Sequence, residues 1–449
     1  SVNPSMVIVK LETSNSTSLC KLFFQKQIAM YPILIQILNR RKKMHTHILS
    51  DLKVLEIATF VFAPGAGTIL SDFGADVIHV EPPGIGDPHR KLSQLRPLPE
   101  SEENYCWDLD SRNKKSLVLD LKSLQGYAIA KRLLETTDVL ITNYHPSVLE
   151  DLKLTYEEVK KINSRLVYAH ATGYGEQGEE TEKPGYDATA WWARSGMMDA
   201  VRPEEAELAL AAPGMGDHPS SLSLVSGIMM ALYARNKTKE GYKVSSSLMA
   251  NGIWANSILV QAALSKNSKF FKTTQATTPN AMVNHYKCSD ERSFYLALVK
   301  EEFEFPLFCD AIGLPELKND RRFMAITARR ENSINLVSIL NEHFKQKPLS
   351  FWKDKFDRNK ITFGHINSVE EVANDKQMHA NNAFLEFSDK PGKKVVNSPF
   401  DISGYDKVNP TSPPTLGENT NAILNELGYD DEEIETLETA GVIFSGFKE

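Results

Sequence analysis

Residues 52–83 read LKVLEIATFVFAPGAGTILSDFGADVIHVEPP, and the reading of this stretch decides the fold. Leu52 to Ala58 is a short apolar run rich in strand formers, and Asp76 to Glu81 is a second. Between them stand a glycine-containing turn and a segment, Gly67 to Phe73, whose pattern predicts a short helix. Strand, helix and strand in sequence make a βαβ unit, expected to be right-handed and parallel. Pro82, Pro83, Gly84 and Gly86 then close it with a loop.

The pattern recurs downstream. Lys115 to Leu121 predicts a strand, Gln125 to Thr136 an amphipathic helix, and Asp138 to Asn143 another strand. Tyr156 to Asn163 reads as helix, and Arg165 to Thr172 (RLVYAHAT) as strand. Alternation of this kind indicates a doubly wound α/β domain. Ligands in such folds sit outside the carboxyl ends of the strands. The loops placed there are Phe60 to Gly65, Glu81 to Arg90, Asn143 to Pro146 and Gly173 to Asp187.

Residues 214–235 (GMGDHPSSLSLVSGIMMALYAR) place one carboxylate, Asp217, on a glycine-flanked turn before an apolar helix. Leu222, Val225, Met229 and Leu232 recur at the spacing of a buried helical face. A carboxylate at a helix N-terminus is favoured in its ionised form, and small neighbours let a ligand approach. Asp217 therefore reads either as a helix cap or as an accessible nucleophile. Beyond it, Tyr242 to Ser247 predicts a strand and Leu248 to Leu264 one helix. Residues 265–280 are polar and read as a linker. Residues 281–370 carry shorter mixed elements, including a hairpin from His285 and a helix over Glu302 to Ile312, and read as a smaller α+β domain. Thr420 to Leu427 and Asp431 to Ala440 predict two closing helices.

Composition narrows the function. The 449 residues are 41% hydrophobic and 24% charged, as in a globular protein. A net charge of -7 gives no global attraction to nucleic acid, and no apolar run reaches membrane-spanning length. Cys20, Cys106, Cys288 and Cys309 are scattered, which suits neither a disulfide framework nor a zinc site. Residues 1–43 differ from the rest, with seven Lys and Arg against Glu12 as the sole acid. They read as an organelle-targeting peptide or as a gene-model artefact upstream of Met44, and the onset of regular patterning after Met44 favours the artefact. The expected location is cytoplasmic, or the mitochondrial matrix if the segment is a genuine targeting peptide.

Several local motifs are weak. Gly65-Ala66-Gly67 begins a dinucleotide fingerprint, but Leu70 stands at the third glycine position. Arg90, Lys91, Arg112, Lys114 and Lys115 form a basic stretch that reads as solvated surface or, taken as a set, as a holder of phosphate groups. Trp191 and Trp192 suit a core or a pocket wall. No histidine pair has ligand spacing, and His218 draws interest only through its neighbour Asp217.

Seven segments in order carry a larger likeness: residues 52–87, 113–123 (NKKSLVLDLKS), 137–146 (TDVLITNYHP), 165–175, 185–196 (GYDATAWWARSG), 214–249 and 412–434. Together they resemble the class III CoA-transferases, the group that includes formyl-CoA transferase, carnitine CoA-transferase and α-methylacyl-CoA racemase. The likeness covers nearly everything after residue 51. It implies a Rossmann-like large domain with a parallel sheet, built from 44–264 and a return segment, 371–449, plus the small domain. It also implies a homodimer of two interlocked rings. Asp217 takes the place of the family's nucleophile, which forms an aspartyl anhydride and then an aspartyl-CoA thioester. Backbone N–H groups around Gly214 and Gly216 would steady the oxyanions. CoA would meet Val61, Leu119, Asn143 and Tyr144, with Tyr186 near the thioester. The substrates would be an acyl-CoA and a small carboxylic acid, with no metal and no tightly bound cofactor.

Some positions depart from that pattern. Pro82 and Asp151 replace arginines of relatives, so phosphate contacts are expected to shift to Arg90 or Lys114. The glycine-rich loop of formyl-CoA transferase is missing around Thr278 to Asn284, and Asn419 stands where histidine is usual. Tyr186-Asp187 lacks the histidine of the racemases, which disfavours two-base proton exchange. The GDH triplet over Gly216 to His218 is similar to members acting on 2-hydroxy acids. The alternatives to a CoA-transferase are an acyl-CoA racemase or isomerase of the same fold, and a CoA-binding protein without catalysis.

Overall fold

The structure is a computed structural model that describes residues 47–446; the segment expected at 1–43 lies outside the described residues. Six parallel strands form the centre: β1 (Lys53–Ile57), β2 (Asp76–Glu81), β3 (Lys115–Leu119), β4 (Val139–Thr142), β5 (Val167–Thr172) and β6 (Lys243–Ser247). Their order across the sheet is 3-2-1-4-5-6, the doubly wound arrangement that the alternation implied. A short strand near the C-terminus, Ile443–Phe444, pairs antiparallel with β3 at the edge.

Side-chain alternation divides this sheet between two cores. Val54, Val77, Val139, Ile141, Val167 and Ala169 face one side, where they pack under two helices, α1 (Phe62–Asp72) and α2 (Asp217–Thr238). Leu55, Ile57, Val80, Leu140 and Tyr168 face the other. There they meet the helix Leu124–Thr136 and the closing helices Thr420–Glu426 and Asp431–Thr439. Asn419 ties that returning chain to the sheet: its Oδ1 accepts from the Ser116 N–H at 2.9 Å, and its own N–H donates to the Ser116 carbonyl at 3.1 Å. A separate aromatic core runs from Ala281 to Ile361 around a small antiparallel sheet, Val283–Lys287, Ser293–Ala297 and Phe363–His365.

Three details differ from the sequence reading. α1 begins at Phe62, so Gly65 and Gly67 lie inside a helix and not in a turn. Both serve close packing: a Cβ on Gly65 would stand 2.6 Å from Ser221 Oγ, and one on Gly67 would stand 1.8 Å from Glu56 Oε2. The buried face of α2 is rotated, so that Leu224, Val225, Ile228 and Leu232 are buried while Met229 is exposed. The helix expected over Leu248 to Leu264 breaks at Asn256 into Leu248–Ala255 and Ser257–Ala263, where the Asn256 amide donates to the Ser195 carbonyl at 3.2 Å.

Candidate active site

The order of the sheet reverses between β1 and β4, and there the chain leaves by two loops that part. Thr59 and Asn143 join the loops reciprocally. The Thr59 N–H donates to Asn143 Oδ1 at 3.0 Å, and Asn143 Nδ2 donates to the Thr59 carbonyl at 2.7 Å. Above them opens a cleft whose walls include Val61, Asn143, Tyr144, Lys183, Tyr186 and Asp217. The structure thus gathers five of the residues singled out in the sequence. Leu119 and Arg90 are not among the lining: Leu119 is buried in the second core, and Arg90 lies beside β2.

Asp217 is the first residue of α2, and the preceding turn is built by its glycines. Gly214 has φ +73°, and a Cβ on Gly216 would stand 2.7 Å from Trp191 Cγ and 2.9 Å from Asp187 Cβ. Trp191 is therefore the floor under the turn, stacked on Trp192 within the π-helical segment Asp187–Ala193. Ser221 fixes the turn against α1, its hydroxyl lying 2.7 Å from the Phe62 carbonyl and 3.0 Å from that of Asp217. The Gly216 N–H donates to Asp187 Oδ2 at 3.4 Å, so this expected oxyanion donor is already engaged.

The Asp217 carboxylate forms no hydrogen bond or ion pair among the described residues, and it is half-buried. Burial first, and the neighbouring Asp187 charge second, push its pKa up to about 7, against an opposing pull from His218. The freely ionised carboxylate expected at a helix N-terminus is thus corrected: loss of water and a like charge outweigh the helix dipole. A half-ionised carboxylate at neutral pH is a better nucleophile than an ordinary one, because basicity and nucleophilicity rise together.

Phe60 brings strain to the rim. It holds φ +64°, an unfavourable region for a bulky residue. Its N–H is fixed on Asp87 Oδ1 at 3.2 Å, and its ring meets Tyr186 edge-on at 5.7 Å. The constraint comes from a buried network that sequence reasoning assigned otherwise. Arg90 clamps Glu81 through two bonds of 2.7 Å, Arg112 clamps Asp72, and Lys114 reaches Glu56 at 2.9 Å, while Lys115 pairs outside this buried set with the part-exposed Asp76 at 2.8 Å. His79 bridges Glu56 and Asp87. Arg90, Arg112 and Lys114 therefore neutralise buried acids while Lys91 stays exposed, and the phosphate role expected for Arg90 or Lys114 is opposed by these internal pairs. On the cleft wall the cationic side chain is Lys183, paired with Glu180 at 2.7 Å. Lys183 and Asp110, a buried acid that meets His218, were missed; each reads in the sequence as one charge in a mixed, surface-like run.

The model of CoA-transferase family III matches residues 49–420. Over 402 residues the chain is 34% identical to the cinnamoyl-CoA:phenyllactate CoA-transferase of Clostridium sporogenes, covering 88% of this chain and 97% of that one. It is 30% identical to the (R)-2-hydroxy-4-methylpentanoate CoA-transferase of Clostridioides difficile, covering 88% and 99%. The crystal structure of a CaiB/BaiF family protein from Brucella suis superposes with a TM-score of 0.76 at 27% identity, covering 85% of this chain and all of the other.

Proposed function

The chain belongs to CoA-transferase family III, and from that premise we propose that it moves CoA from an acyl-CoA donor to a carboxylic acid acceptor through Asp217. The observation that carries this reading is the placement of an unpaired carboxylate at the switch-point cleft, with Val61, Asn143, Tyr144 and Tyr186 around it.

In this mechanism an Asp217 oxygen attacks the thioester carbon. The carbon–sulfur bond breaks, CoA leaves as thiolate, and an acyl–aspartyl anhydride remains. The thiolate then attacks the aspartyl carbonyl, releasing the donor acid and leaving CoA on Asp217 as a thioester. The acceptor carboxylate attacks that carbon and expels the thiolate. Finally the thiolate takes the acceptor's acyl carbon, which frees Asp217 and yields the new acyl-CoA. Anhydride and thioester are close in reactivity, so no step faces a large thermodynamic drop. The chain supplies the nucleophile and its orientation, while CoA supplies the sulfur. Lys183 meets a phosphate group of CoA as the cleft's cation, and Tyr186 packs near the thioester.

The same reading has the protein act as a homodimer in the cytoplasm, with no tightly bound cofactor. Met230, Tyr233, Trp254 and Ile258 are exposed on α2 and the two helices after β6, and a second copy would cover them. Among the described residues, no helix is long and apolar enough to cross a membrane.

The test is exchange. The full chain is mixed with cinnamoyl-CoA or succinyl-CoA and a panel of acids that includes phenyllactate and 2-hydroxy-4-methylpentanoate, and new thioesters are sought by mass spectrometry. Formation of an acceptor thioester supports the reading. Deuterium entering the α-carbon of an acyl-CoA without acceptor acid, and without exchange, would favour the racemase alternative.

A further inference from the structure

We propose that His218 and Asp110 form a positioning pair, which holds a fixed positive charge beside Asp217 and keeps the nucleophile's turn and charge state ready for attack. This inference rests on the reading of Asp217 as nucleophile. His218 does not line the cleft; it faces a second cavity bordered by Ile69, Leu109, Leu222 and Val396. Its role is therefore exerted through the turn and not on substrate.

The geometry fixes the charge of the ring. His218 Nε2 lies 3.1 Å from Asp110 Oδ1, and Nδ1 lies 3.2 Å from the Gly214 carbonyl. Carboxylate and carbonyl oxygens both accept, so both ring nitrogens must donate, and only the imidazolium carries two N–H groups. Asp110 is 3% exposed, and His89 Nε2 lies 3.7 Å from its other oxygen. Gly214 makes the contact possible, because a Cβ there would stand 3.1 Å from the ring. The ring thus holds the turn's carbonyl from one side while Asp187 holds the Gly216 N–H from another.

The charge balance gives this arrangement a purpose. Asp187 and, more weakly, Asp110 both act on Asp217 at the turn. His218 is the group that acts most strongly on Asp110 and the one hydrogen-bonded to it by its side chain; His89 and then Lys114 follow, and Lys114 is itself bound to Glu56. Burial opposes a charge on His218, but the Asp110 charge and hydrogen bond outweigh it and push the pKa up to about 9. In turn, His218 lowers the Asp217 pKa against burial and Asp187. Above about 7 the nucleophile is ionised, and above about 9 the ring loses a proton and with it one of the two bonds that hold the turn between the Gly214 carbonyl and Asp110, so a bell-shaped profile with limbs near those values is expected.

The experiment compares pH profiles of kcat and kcat/KM for the full chain, His218→Gln and Asp110→Asn, with an acyl-CoA and acid that the unaltered protein exchanges. Loss of the cation in His218→Gln should move the acid limb up by about one unit, the low end of what an adjacent charge does to a carboxylate. The rate at pH 7 should fall about fivefold, the KM for acyl-CoA should hold within about twofold, and activity should recover in part above pH 8. Asp110→Asn keeps the shape but removes the anion, so its alkaline limb should move down towards neutral. His218→Arg should restore part of the lost rate at pH 7. An unshifted acid limb in His218→Gln, whether the rate is normal or uniformly depressed, would overturn the proposal. Exchange that survives Asp217→Ala would instead sink the nucleophile reading itself, so the two failures are distinguishable.

Discussion

Two groups of carboxylates in this protein are treated in opposite ways. Glu56, Glu81 and Asp72, under the ends of β1, β2 and α1, are buried and each has a cation: Lys114, Arg90 and Arg112. Asp217, at the cleft, has a like-charged neighbour and no direct partner among the described residues. Glu81 shows the first treatment: burial would raise its pKa, but the Arg90 bond and the nearby His79 and Arg90 charges hold it down to about 2. The Asp217 pKa is pushed the other way, to about 7. Buried charge with a matched partner keeps a structure together, whereas buried charge without one is kept reactive. The first group also serves the second, because Asp87, held by the Glu81 cluster, fixes strained Phe60 at the rim.

The contrast can be broken at either end. Asp217→Ala should lower exchange by at least about a thousandfold, as loss of a covalent nucleophile does, while leaving the melting curve in place. Substantial remaining activity would make Asp217 another structural acid. Lys114→Met should do the reverse. It leaves Glu56 buried without its lysine, at a cost of about 3–5 kcal/mol in urea unfolding, and the protein that remains folded should keep its KM. A small stability loss coupled to a raised KM would return Lys114 to the CoA site.

The two groups should also part company with pH. The folded-state pKa of His79 is raised to about 9; burial opposes its charge, but bonds to Asp87 and Glu56 outweigh that. Its contribution to stability is therefore complete below the unfolded value of about 6.5 and is lost as pH rises through about 9. The depressed Glu81 contributes fully above about 4.5 and loses its contribution as pH falls towards about 2. Exchange should climb through pH 7 as Asp217 ionises. Between pH 6 and 8, activity should rise while the urea midpoint begins to fall, and parallel trends would contradict the division. The smallest effect is expected at the cleft wall: Lys183→Ala should raise the acyl-CoA KM about three- to tenfold with kcat unchanged, the signature of lost uniform binding. Arg90→Ala should instead lower stability without moving KM.

Much of this was legible before the structure. The βαβ alternation and the apolar strands give the sheet, because a doubly covered parallel sheet demands near-continuous apolar runs. The glycine-flanked Asp217 stood out locally, and the structure puts it in the wall of the cleft. The start of α1 was not legible, because Gly65 and Gly67 read as turn formers, and their reason for being glycine lies across the fold at Ser221 and Glu56. The burial of Arg90, Arg112 and Lys114 was not legible, because their acids, Glu81, Asp72 and Glu56, stand on other elements. The pKa of Asp217 depends on burial and on Asp187, neither of which a local helix signal contains. Asn419 looked like a departure, yet its side-chain oxygen accepts from the Ser116 N–H on β3, beside the bond that its backbone N–H donates to the Ser116 carbonyl.

Trapping the covalent intermediate tests the central claim most directly. The full chain is incubated with an acyl-CoA that it exchanges, treated with hydroxylamine or borohydride, digested, and read by mass spectrometry. The account expects modification of Asp217, dependent on acyl-CoA and absent in Asp217→Ala. Robust exchange with Asp217 unmodified under these conditions, or with the adduct on another residue, would contradict it.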